Sequence, residues 1–113
     1  MRTGIVWIGG SSVIAHLACT LREAEIGLRG LGSLSPNEGL LLPTQPGAHL
    51  SMTGMRFPLD AVLIVGDRVA RVLELEPGQP SIPVDGADYV LELNRGWSRR
   101  HGIGPGSSVA AAF

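Results

Sequence analysis

Residues able to do polar chemistry crowd into one short stretch, HLSMTGMRFPLD, residues 49–60. Arg56 offers a guanidinium fork suited to a carboxylate, a phosphate or a sugar hydroxyl. Asp60, a little further on, supplies a carboxylate that could orient that fork, and His49 adds a third polar group upstream. Gly54, next to Met55, lets a ligand or another backbone come close. Pro58 lies between the two charges; it removes a backbone donor and pushes Phe57 toward an extended conformation, so the stretch is not a helix. Along an extended chain an even separation puts two side chains on one face. The spacing therefore predicts Arg56 and Asp60 side by side, at the rim of the apolar run AVLIV that follows. Plainer readings use the same residues: a structural ion pair, or Asp60 accepting backbone amides to close a turn. For Gly54 and Met55 the plain readings are a bulge and core packing.

Elsewhere the residue types are present but not assembled. His16 and Cys19 fall on opposite faces if their segment is a strand, and His49 and His101 lack the paired spacing of a zinc site. No metal and no cofactor are expected. Covalent catalysis needs a nucleophile, a base and an orienting group in register. The stretch GGSSV, residues 9–13, lacks the glycine that follows the serine of a nucleophile elbow. A phosphate loop needs a lysine, and all nine basic residues here are arginine. No catalytic residue is assigned. The enzyme alternative is a small hydrolase-like protein using Asp60 and a histidine that the fold brings near. Arg95, Arg99 and Arg100 with Trp97 and His101 form a basic-aromatic patch, readable as a phosphate or acidic-partner surface or as a solvated turn with Trp97 in the core.

These residues need a scaffold, and the composition describes one. The chain has 113 residues, 44% hydrophobic and 17% charged, which suits one domain over 1–113 and is too apolar for disorder. A formal net charge of -1 gives no electrostatic reason to bind nucleic acid. No apolar run reaches the roughly 18 residues of a spanning helix. One cysteine, Cys19, excludes an internal disulfide. Arg2 followed by IVWIGGSSVIAHLAC could be read as a lipoprotein-type export signal ending at Cys19, but Gly9-Gly10-Ser11-Ser12 breaks its apolar core; a cytoplasmic location is expected.

Short strands dominate. Ile5–Ile8, Val13–Ala18, Leu40–Leu42, a start near His49, the AVLIV run, Arg68–Glu76, residues 89–94 and a piece of SSVAAAF all read as strands. Gly66-Asp67 between two valine-rich runs reads as a hairpin turn, and continuous apolar AVLIV as a strand covered on both faces. Thr20 and Glu23 have the spacing of a capping box. Leu21, Ala24, Leu28 and Leu31 then recur at helical spacing, and Gly30 and Gly32 supply a stop. GWSRRHG allows one further helical turn. The fold class is mainly β (α+β), a small barrel or sandwich of mostly antiparallel strands with one main helix near residues 21–30.

Three blocks, TLREAEIGLRG, GMRFPLDAVLIVGDRV and ADYVLELNRGWSRRHGIGPGSSV, occur in an order that resembles the bacterial family called domain of unknown function 192. The middle block, with its Pro-Leu-Asp step, is the most specific. The resemblance implies a compact, mostly β domain with one prominent helix and no established activity, and relatives occur both with and without export signals. The resemblance is that of a divergent member: Ala24 and Leu31 stand where relatives usually carry arginine, and Ser51-Met52-Thr53 stands where many have an aromatic or a His-Thr pair. The reading that follows is a non-catalytic module that binds a small polar ligand or a protein partner near Arg56, Asp60, His49 and Gly54. A structural subunit that associates through an exposed strand edge is the third alternative.

Overall fold

A computed structural model describes residues 2–20, 23 and 33–113. In chain order its strands are β1 (Arg2–Ile8), β2 (Ser11–Leu17), β3 (Glu38–Pro43), β4 (His49–Leu50), β5 (Leu59–Val65), β6 (Arg68–Leu75), β7 (Ile82–Pro83), β8 (Tyr89–Asn94) and β9 (Val109–Ala112), with the short helix α1 (Trp97–Arg100) between the last two. Seven strands form one sheet in the order β6-β5-β8-β3-β2-β1-β9, while β4 and β7 make a separate pair. All neighbours are antiparallel except β2 and β3. The large sheet curls into a half-barrel. Its two edges meet at one corner, where the Val69 N–H donates to Ser107 O at 2.9 Å and the Val109 N–H donates to Asp67 O at 2.8 Å. Mostly β architecture with a small barrel-like sheet is what the strand pattern predicts.

Alternation along the strands builds two cores, one on each face of the sheet. From β5, Val62 and Ile64 point into the barrel with Val6, Leu41, Leu91 and Trp97, whereas Leu59, Ala61 and Leu63 join the outer core with Leu40, Leu42, Met52 and Phe57. The β4–β7 layer and its loops cover that outer core. Double coverage is why the AVLIV segment carries no polar side chain: every position from Leu59 to Ile64 is buried. The strands also extend beyond their apolar cores. β1 starts at Arg2, because exposed Arg2 and Thr3 still pair with Leu17 and His16 across the ladder, and hydropathy does not register such residues.

The helix expected near residues 21–30, with Ala24 and Leu31, lies outside the described residues. The capping residues themselves are described. The Glu23 N–H donates to Thr20 Oγ1 at 3.0 Å, and the Glu23 carboxylate accepts the Cys19 N–H at 3.4 Å, the reciprocal pair of a capping box displaced by one amide. Among the described residues no helix is long and apolar enough to cross a membrane.

Where β3 crosses β8, the backbones leave no room for a side chain. A Cβ on Gly39 would stand 2.8 Å from Leu93 Cδ2 and 2.9 Å from the Glu92 carbonyl oxygen. The carbonyl cannot rotate away, so Gly39→Ala is expected to destabilise by about 1–3 kcal/mol through overpacking. Urea unfolding checks it; a variant as stable as the parent would show that the two strands can separate cheaply.

Candidate functional site

Asp60 is the second residue of β5 and is 2% exposed. Its Oδ1 accepts the Gly96 N–H at 3.2 Å and its Oδ2 accepts the Ser98 N–H at 3.1 Å. Gly96 is the N-cap of α1, with φ 88°, and so has no side chain to cap the helix. The carboxylate of β5 replaces the missing capping group from across the fold. Of the plain readings, the one in which Asp60 accepts backbone amides matches this geometry.

The cation beside Asp60 is Arg95, whose Nε stands 3.8 Å from Oδ1. Arg95 also reaches Glu76 Oε1 at 2.7 Å and donates through Nη2 to the Leu75 carbonyl at 3.0 Å. Glu74 is the ladder partner of Asp60 on β6, and two like charges directly opposite repel. Arg95 at 3.8 Å and Arg99 at 2.9 Å bracket Glu74 and offset that repulsion. The basic-aromatic patch read from the sequence is thereby divided. Arg95 and Arg99 serve this network, Trp97 is buried, and Arg100 is exposed.

Arg56 takes a different course. Residues 56 and 57 form a bend, and the even-spacing rule holds only along an extended chain, so it does not carry from Arg56 to Asp60. Arg56 is exposed, and among the described residues it forms no ion pair. Its neighbours are fixed: Met52, Met55 and Phe57 are 2%, 9% and 8% exposed within the outer core. The Met55 and Gly78 N–H groups donate to Met52 O at 3.2 and 3.0 Å. Gly54 is the exposed turn residue between them, with φ 78°, a conformation that glycine adopts without strain. His49 lies exposed on β4 opposite Pro83.

The fold assembles one row of groups that spacing did not suggest. Thr3 Oγ1 lies 3.4 Å from His16 Nδ1, and His16 Nε2 lies 3.1 Å from Glu38 Oε2. Hydroxyl, imidazole and carboxylate follow the order of a nucleophile, base and orienting acid. The row runs across three neighbouring strands, and the His16 and Glu38 side chains are each 33% exposed; this is how polar cross-strand partners align on an open sheet face. His101 turns toward α1, stacking on Trp97 at 4.0 Å with Nδ1 2.8 Å from Trp97 O. Among the described residues no three His, Cys, Asp or Glu side chains group as a metal cage.

Comparison with known proteins adds the following. The DUF192 family model, described as an uncharacterized ACR, matches residues 5–111. A solved structure from Sinorhizobium meliloti 1021, provisionally described as a transcription regulator, superposes with a TM-score of 0.85 at 22% identity, covering 97% of this chain and 94% of that one. A protein of unknown function from Novosphingobium aromaticivorans DSM 12444 superposes with a TM-score of 0.80 at 28% identity, covering 96% of this chain and 84% of that one. No curated protein matches the chain.

Proposed function

We propose, from the premise that this chain belongs to the DUF192 family, that it is a single-domain, non-catalytic module that binds a small polar ligand through Arg56. His49 and Gly54 lie on the same covering segment. One observation carries the reading: the Pro-Leu-Asp segment divides its charges. Asp60 is committed inward to the amides of α1, while the Arg56 guanidinium stays exposed on a bend held by three buried neighbours. A fixed backbone that presents a guanidinium without an ion-pair partner among the described residues suits a carboxylate or phosphate, because little ordering remains to be done on binding. Asp60 positions the segment from behind.

The hydrolase alternative requires a histidine at Asp60. Both carboxylate oxygens already accept backbone amides, and His101 turns to Trp97 instead. The regulator description belongs to the S. meliloti protein, whose likeness here is one of fold. A net charge of -1 favours a small ligand over nucleic acid. A free, exposed Cys19 is compatible with a cytoplasmic setting.

A thermal-shift screen over organic acids, sugar phosphates and nucleotides tests the reading. A ligand at 100 times its Kd should stabilise the native state by about 2.7 kcal/mol, and Arg56→Ala should abolish the shift. Without ligand the same variant should unfold within about 0.5 kcal/mol of the parent, as for a surface residue. A ligand whose shift survives in Arg56→Ala would place binding elsewhere.

A further inference from the structure

The half-barrel is plugged at one end and open at the other. At the end where β5 begins, α1 is tied to Asp60 and sets Trp97, 1% exposed, against Ile8 and Ile103. At the opposite end, where β5 finishes, the strands part around a hollow of about 210 Å³. Its walls are the side chains of Leu17, Leu41, Ile64 and Val109, with Tyr89 and Phe113 at the rim. Tyr89 and Phe113 are 41% and 37% exposed, large rings left in water at the mouth of an apolar recess. Barrel mouths are habitual sites for small ligands. An apolar cavity of about 150 Å³ takes a benzene ring, so this one has room for a ring and the start of a chain.

A second, more open hollow adjoins it and shares Gly66 and Tyr89 as a common wall. Asp85 and Asp88 line that outer hollow, and among the described residues no arginine or histidine lines either one. One Asp88 oxygen accepts the Gly66 N–H at 2.7 Å, which fixes this carboxylate at the boundary between the apolar recess and the acidic shelf. A ring in the recess would send its chain outward past Tyr89 to these carboxylates. We infer that the barrel mouth binds a small arylalkyl amine, its ring among Leu41, Ile64 and Val109 and its ammonium toward Asp85 and Asp88. The site is separate from the Arg56 segment and selects ligands of opposite charge.

Methyl-resolved NMR titration of the full chain tests this with three probes: phenethylamine, phenylacetate for reversed charge, and butylamine for the missing ring. Phenethylamine should move the Leu41, Ile64 and Val109 methyl signals saturably, with the other two at least tenfold weaker. Ala111→Trp, at an exposed wall position, should fill the mouth and weaken phenethylamine at least tenfold; Leu17→Trp repeats the test from another strand. Arg56→Ala should leave the titration unchanged. No saturable shift at those methyls, equal binding of phenylacetate, or loss of binding in Arg56→Ala would each overturn the inference.

Discussion

Asp60→Ala should lower the free energy of unfolding by about 2–4 kcal/mol, because two backbone amides lose their shared acceptor at once. The loss has identifiable parts. The Gly96 and Ser98 amides lose their acceptor at the capless start of α1, and a buried donor left unsatisfied costs about 1–3 kcal/mol. Arg95, whose Nε has no hydrogen-bond partner among the described residues, loses the buried carboxylate that stands 3.8 Å from it. Asp60→Asn keeps the shape and one acceptor oxygen, so it should fall between Ala and the parent. Chemical denaturation of the three proteins measures this. An Asp60→Ala variant within 1 kcal/mol of the parent would mean that the carboxylate does not hold α1.

Trp97→Ala is expected to cost a similar amount, about 3–5 kcal/mol, through the cavity left by a large aromatic side chain. Trp97 plugs the barrel against Ile8 and Ile103, and its loss also strips His101 of the ring on which it stacks. Its indole Nε1 is buried without a hydrogen-bond partner among the described residues. Phenylalanine removes that orphaned donor along with part of the volume, so Trp97→Phe should lose well under half as much as Trp97→Ala. If Phe proved as damaging as Ala, the indole N–H would have to be making a bond of its own. The exposed Trp7 remains as an internal fluorescent reference in both variants.

Asp60 and Trp97 together show how far the sequence could be read. Their types carried meaning locally: an aspartate at a strand entrance is a natural acceptor for backbone amides, and a lone tryptophan in a glycine-bounded turn packs inward. Apolar runs and turn chemistry sufficed for the strands: β5 is a continuous apolar run covered on both faces, and the hairpin at Gly66-Asp67 joins it directly to β6. Partners distant in sequence were not legible. Nothing in residues 56–60 indicates that Arg95 is the cation beside Asp60, since that depends on β5 and β8 being neighbours in the sheet. The side-by-side placement of Arg56 and Asp60 assumed an extended chain, and the bend at residues 56–57 removes that premise. The Thr3–His16–Glu38 row is likewise a product of register. So is the barrel mouth, whose walls come from strands at both ends of the sequence.

The division of charge between Arg56 and Asp60 is tested most directly by two double-mutant cycles on unfolding free energy, one joining Asp60→Ala with Arg56→Ala and the other joining it with Arg95→Ala. The expected coupling between Asp60 and Arg95 is about 1 kcal/mol or more, as for groups in one network, and between Asp60 and Arg56 it is below about 0.5 kcal/mol, as for independent sites. Strong coupling of Asp60 to Arg56 would make the pair a structural ion pair, and would leave no uncommitted guanidinium to meet a ligand.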